Sequence, residues 1–333
     1  MVERMGGYVR YDSAVDPPWL RNYVADVVEI SCQKLDDADV AALAGLSGLT
    51  SLNLSGSGIT DAGLGSIAKL KHLRELDVSG ARINSAGLAE LGGLMQLEKL
   101  RLSGTQLTGA GLAPLRGLPR LRRLDLEGTA LMCAERTENE ASPVVADAAR
   151  NAVGKGAGCR LRVVVATETR SDAGMALLGS LCQLEELNLS TTGATDSGIA
   201  RLEGLTHLRS LCLNGNDITD SGLESIARMS RLEWLSLGNT QVTDLGLARL
   251  AGLAKPETLR LDGARVTGEG ALQLAILTQL RVLNLANTMV TDTGLRRLEG
   301  LTRLEQLDLT GTRATDGGVE RLRRKLPNCR ISW

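Results

Sequence analysis

The phrase LxxLxL returns at a fixed spacing along almost the whole chain, and this recurrence limits the possible folds more than any other feature. The first residue of each LxL, or its substitute, is Val28, Leu52, Leu76, Leu100, Leu124, Val163, Leu187, Leu211, Leu235, Leu259, Leu283, Leu307 and Ile331. Every interval is 24 residues except that from Leu124 to Val163, which is 39. A period of this length marks a stacked array of supersecondary units, so length alone is no guide to domain number. The count predicts one continuous array from residue 28, interrupted by a single insertion. Hydrophobic residues make up 43% of the chain but aromatics only 2%, with no phenylalanine. Its core must therefore be assembled from aliphatic side chains repeated coil after coil.

The stretch WLSLGNTQVTDLGLARLAGL, residues 234–253, shows one unit. The LxL residues share one face of a short strand because side chains alternate across it. Thr243 and Asp244 stand where a helix begins and are expected to cap its free amides, with the helix dipole offsetting the carboxylate charge. Leu247, Leu250 and Leu253 then return to one helical face. Thr240, Thr288 and Asn216 are expected to bond turn backbone. One unit alone buries too little aliphatic surface to offset the entropy of ordering its backbone, so stacking is obligatory.

The segments ITDAGL, ITDSGL and VTDTGL carry a resemblance to the leucine-rich repeat family, in particular its bacterial TDxGL 24-residue type, with a relation to the cysteine-containing repeats of F-box adaptors. The resemblance implies an α/β solenoid, or horseshoe, with parallel strands on the concave face and short helices or turns on the convex face. Asn84-Ser85, Thr108-Gly109 and Thr267-Gly268 depart from the motif by lacking the aspartate, and Pro256 replaces a leading leucine. The resemblance also implies a GGxVxYD-like start, here Gly6 to Asp12, which in the family often follows a membrane helix, and an LPNC ending.

Solenoids need covered ends. Residues 1–27 are read as an N-terminal cap, with Asp16 opening a short helix that presents Trp19, Leu20, Tyr23, Val24 and Val27. Residues 28–330 form the array and 331–333 its final strand, with Trp333 filling the last core layer. The insertion, residues 132–159, predicts a helix starting at Ser142-Pro143, running over Val144 to Val153 and stopping at Gly154, beside a solvated loop at Glu135 to Glu140. Cys133 and Cys159 are a conceivable disulfide pair, although spacing alone does not decide connectivity.

Several chemistries find no support. A net charge of −1 provides no global field for nucleic acid or an anionic membrane. The six cysteines include no CxxC pair, which argues for reduced thiols and against a zinc site. His72 and His207 fall five strands apart in the count, roughly 24 Å, too far to share a metal or a proton. The recurrent aspartates Asp61, Asp172, Asp196, Asp220, Asp244, Asp292 and Asp316 lack the glycine-rich turns of calcium-binding solenoids and are read as structural. Residues 296–333 hold nine basic and five acidic side chains, read as a solubilising face because no aromatics interleave for base stacking. No apolar run is long enough for a signal peptide or membrane helix.

The chain therefore reads as a soluble, monomeric, non-enzymatic scaffold for a protein or peptide. No catalytic residue, metal, cofactor, nucleic acid or membrane insertion is expected. A cytoplasmic location is the first expectation, and tethering outside the cytoplasm in a longer chain the second. A ubiquitin-ligase substrate receptor and a membrane-tethered adhesion module are the alternatives that follow from the resemblance. The expected working surface is the concave face, whose outward residues are mixed and polar. Trp234 stands out there, and Trp and Arg dominate binding hot spots. The candidate site comprises Trp234, Ser210, Cys212, Ser236, Arg260 and Asp262.

Overall fold

The computed structural model describes residues 8–11, 27–131, 173–253 and 255–333. Of the expected cap helix, Trp19, Leu20, Tyr23 and Val24 lie outside the described residues, as do the helix following Ser142, the Cys133–Cys159 pair and Asp172, whereas Val27 stands in a strand rather than on that helix. One open sheet runs in strict chain order. Its strands are β1 (Tyr8–Tyr11), β2 (Val27–Ser31), β3 (Ser51–Asn53), β4 (Glu75–Asp77), β5 (Lys99–Arg101), β6 (Arg123–Asp125) and β7 (Glu186–Asn188). It continues through β8 (Ser210–Cys212), β9 (Trp234–Ser236), β10 (Thr258–Arg260), β11 (Val282–Asn284), β12 (Gln306–Asp308) and β13 (Arg330–Ser332). β1 pairs antiparallel with β2, and β2 to β13 are parallel.

Short helices return the chain along the other face: α1 (Asp37–Leu43), α2 (Asp61–Ile67), α3 (Ser85–Leu88), α4 (Ala173–Gly179) and α5 (Asp196–Ala200). They are followed by α6 (Gly222–Ile226), α7 (Asp244–Leu247), α8 (Gly270–Leu274), α9 (Asp292–Leu298) and α10 (Asp316–Lys325). Between strands and helices runs one continuous aliphatic core; Leu232, Leu235, Leu237, Val242, Leu247 and Leu250 supply its layer in the unit quoted above. The result is a leucine-rich repeat solenoid.

The structure corrects the count in three places. At the first strand Ile30, not Val28, pairs with Leu52, so Ser31 rather than Glu29 takes the place of Asn53. A first turn two residues shorter still lets Cys32 and Leu35 reach the core. The second correction concerns Val163, counted as a ladder position between Leu124 and Leu187. Leu124 instead pairs directly with Leu187, so no strand lies between β6 and β7. Leu131 ends the first half of this unit and Ala173 resumes the second, and the seam is tight. A Cβ on Gly109 would meet Gly174 Cα at 2.9 Å. Across it Gln183 Nε2 donates to the Leu118 carbonyl at 3.1 Å, and Arg116 Nε to Ser180 Oγ at 3.1 Å. His72 and His207 accordingly precede strands β4 and β8, four spacings or roughly 19 Å apart. The third correction is Trp333, which is 46% exposed rather than filling the last layer. In β13, the last strand of the sheet, Ile331 makes the inward contact.

The TDxG motif works between units rather than within one. Thr243 caps its own helix, its Oγ accepting from Leu245 N–H at 3.3 Å. Asp220, expected to cap its own helix as well, instead accepts from Thr243 of the next unit, from N–H at 2.8 Å and from Oγ at 2.6 Å. Asp37, Asp196, Asp244 and Asp292 do the same toward Thr60, Thr219, Thr267 and Thr315. The Thr315 hydroxyl, and then its N–H, hold the Asp292 carboxyl below the usual carboxylate range. The glycine three residues after each receiving threonine is a consequence: a Cβ on Gly63 or Gly222 would come within 2.5 Å of the preceding unit's aspartate oxygen. Side chain, cap and glycine of successive coils thus form one latch.

Turn polar groups are satisfied as expected. Thr240 and Thr288 donate to the carbonyls of Leu237 and Leu285. Asn216 bridges two units, donating to the Leu189 and Leu213 carbonyls and accepting from the Thr192 and Ala194 amides. Each unit from β3 to β12 also places one residue in the left-handed region just after its strand; it is glycine at seven positions and asparagine at Asn239 and Asn287, but Thr191 takes φ 53°. A β-branched residue is strained there.

Candidate binding site on the concave face

The parallel register decides which outward side chains stand side by side. Ser210, Trp234 and Thr258 form one row, and Cys212, Ser236 and Arg260 the next. Trp234 is half-buried, with small Ser210 beside it on the neighbouring strand. Cys212 Sγ lies 2.9 Å from Ser190 Oγ and receives the Asn214 amide at 3.2 Å. Arg260 is exposed, its Nε 3.5 Å from Asp262 Oδ1, which also accepts from Asn284 Nδ2 at 3.2 Å.

Ser236 departs from its expected role. It is fully buried, and its hydroxyl donates to Asn214 Oδ1 at 2.6 Å. The same oxygen accepts from Gly238 N–H at 2.8 Å, so Ser236 fixes the Asn214 side chain and presents nothing to a partner.

Trp234 is one wall of a groove of about 230 Å³ that opens toward β5, away from Arg260 and Asp262. Ser210, Cys212 and Asn188 keep its middle low, and Lys99, Arg101 and Arg123 stand opposite the indole with Asp125 and Glu186 between. Arg123 Nε pairs with Glu186 Oε1 at 3.1 Å, while Arg101 and Lys99 reach Asp77 and Glu75 at only 3.5 and 3.9 Å. The Arg123–Glu186 pair is exposed on both sides, and such a pair contributes little and exchanges readily for a ligand's charges. The expected set of residues missed this charged wall. Its side chains are readable as outward positions, but that Arg123 stands against Glu186 depends on β6 meeting β7 directly.

Among the described residues Cys32, Cys182, Cys212 and Cys329 are free thiols. Burial pushes the Cys329 thiol up to about 11, so it stays protonated at neutral pH. Among the described residues no three His, Cys, Asp or Glu side chains converge, and no helix is long and apolar enough to cross a membrane.

Two leucine-rich-repeat family models match the chain, at residues 26–83 and 204–227. No curated protein matches it. Among solved structures, an internalin from Listeria monocytogenes is 20% identical, with 94% of this chain and 91% of that chain covered and a TM-score of 0.54. Internalin C2 of the same organism is 25% identical over 81% of this chain and 92% of its own, with a TM-score of 0.52. The mouse RP105/MD-1 complex aligns at 20% identity over 91% of this chain and 45% of that one, with a TM-score of 0.58. These likenesses support the open solenoid, and leucine-rich repeat proteins are in general protein-interaction modules.

Proposed function

We propose that the protein is a non-enzymatic scaffold that binds a protein or peptide on its concave face, with Trp234 as the central contact. The observation that carries this reading is the groove beside Trp234: a half-buried indole facing a basic wall across a floor of small side chains. A tryptophan so placed gains when a partner excludes water around it, and flanking polar groups orient what binds. Ser210 and Cys212 lie in the floor of the contact, and Arg260 and Asp262 flank Trp234 on its other side. A monomer acting in the cytoplasm fits the dispersed cysteines.

The test is affinity capture with wild-type and Trp234→Ala protein, followed by calorimetry on the captured partner. The alanine variant is expected to weaken binding by about 30-fold or more, a hot-spot effect of ~2 kcal/mol. Unchanged affinity with retained circular dichroism would remove Trp234 from the site.

A further inference from the structure

The convex face carries a second feature at the C-terminal end of the array. Helices α7 to α10 stack in sequence, so residues 24 apart lie in rows across them. One row is Ala248, Leu272, Arg296 and Glu320; the next is Arg249, Gln273, Arg297 and Arg321; a third is Gly252, Ile276, Gly300 and Arg324. Leu272 and Ile276 are 43% and 57% exposed, and Leu245, at the start of α7, is 81% exposed. Ile276 stands proud because the neighbours in its row are glycines.

Alongside these aliphatics the pairing rule of the array breaks down. From β4 to β12, arginines meet a glutamate one unit away, as in Arg74–Glu98, Arg122–Glu185, Arg209–Glu233, Arg228–Glu203, Arg249–Glu224 and Arg281–Glu305. Arg296, Arg297, Arg321, Arg324 and Lys325 are all exposed, and among the described residues none has an ion-pair partner within 4.0 Å. Asp292 senses Arg296 and Arg321 only as more distant charges. Asp292, Asp316, Glu299 and Glu320 are the acidic groups among them; Asp292 is held by Thr315, and Glu320 leans 3.9 Å toward Arg323. The chain's small net charge thus conceals a local cationic strip bordered by exposed aliphatics.

We propose that this strip, α7 to α10, is a peripheral docking surface for an anionic lipid bilayer. Aliphatic side chains enter the headgroup boundary while flanking cations meet lipid phosphates and carboxylates. At helix spacings of roughly 8 to 10 Å the strip is about 25 to 30 Å broad, enough to rest several cations on the surface at once. Nucleic acid is disfavoured because exposed Leu245, Leu272 and Ile276 would have no base to stack on. A protein partner is disfavoured because leucine is under-represented at protein hot spots, and no aromatic accompanies these aliphatics. The concave groove remains free in this orientation, so a bilayer and a protein partner would be held on opposite faces.

The test is co-sedimentation of the full chain with vesicles of phosphatidylcholine containing about 30 mol% phosphatidylserine, in about 0.1 M salt. The wild type is expected to sediment with these vesicles, not with pure phosphatidylcholine, and to be released as salt rises. Paired Arg297→Gln and Arg321→Gln substitutions are expected to lower the partition coefficient about 30-fold, at ~1 kcal/mol for each cation. Ile276→Ser is expected to lower it too, Trp234→Ala to leave it unchanged, and Ile276→Trp to show a blue-shifted indole emission on vesicles. Arg297, Arg321 and Ile276 are exposed, Trp234 is half-buried, and circular dichroism checks that each variant is folded. Lack of sedimentation, binding indifferent to the arginine and isoleucine substitutions, or retention by heparin or DNA without vesicle binding would each overturn the proposal.

Discussion

Removing one methyl-sized space inside the inter-unit latch offers the most direct test of how the array holds together. In Gly246→Ala the new Cβ would fall on Asp220 Oδ1, with Leu223 Cδ1 also only 2.9 Å away. The carboxylate must leave, taking both hydrogen bonds to Thr243 with it. Bonds to an ionised carboxylate contribute about 1.5 to 3 kcal/mol each when buried. At this half-exposed site we take about 1 kcal/mol each, roughly 2 in total. Crowding of Leu223 adds roughly 1 kcal/mol, and the better helix propensity of alanine returns about 1 kcal/mol. The expected cost is therefore about 2 kcal/mol. Asp220→Ala alone is also expected to cost about 2 kcal/mol, from the same two bonds. With the carboxylate gone, however, the alanine methyl enters vacated space. The double variant should then be about as stable as Asp220→Ala, leaving a coupling of roughly 2 kcal/mol where independent sites would add. Urea titrations followed by circular dichroism and by Trp234 emission, which reports the same unit, measure all four corners of the cycle. Strict additivity, or Gly246→Ala within about 0.5 kcal/mol of wild type, would refute the latch.

Four further outcomes are expected. Replacing residues 132–172 by Thr-Asp, the pair that joins the corresponding positions in the unit of Leu235, should leave a folded array with a similar urea midpoint; loss of cooperative unfolding would return Val163 to the ladder. Thr191→Gly should raise stability by about 1 kcal/mol by relieving a left-handed β-branched residue, read from the shift of the same midpoint. Asn216→Ala should cost about 3 kcal/mol, since two amides and two carbonyls from adjacent units lose their partner together, and Asn216→Thr should recover only part of it. Asp292 is held below its ordinary pKa, so its contribution is present at neutral pH and is lost as pH falls from about 4 through the folded value. The stability gap between wild type and Asp292→Asn should therefore narrow on acidification and stay flat from pH 6 to 8; a gap that widens in acid would contradict the assignment.

What could be read without coordinates was whatever one unit settles by itself. The LxL residues point inward because strand side chains alternate, and Leu235 and Leu237 are buried for that reason. Thr243 begins a helix because its hydroxyl reaches an amide two residues on. Trp234 is outward because it flanks an inward leucine. Each is a short-range consequence of chain geometry, and a constant period copies it from coil to coil.

The remainder depended on which coil lies next to which. Asp220 and Gly246 are 26 residues apart and meet only because successive coils stack in register. No period in the sequence could say that Leu124 passes over Val163 to join Leu187, because both partners offer an inward aliphatic residue and a following TDxG-like turn. Closure of the backbone ladder decided it, and with it the groove between Trp234 and Arg123. Trp333 and Ile276 make the same point at the surface: either could have packed against a neighbour, and both are exposed, Ile276 because the neighbours in its row are glycines. Local sequence specifies what each coil can bury; only stacking determines what remains for a partner to touch.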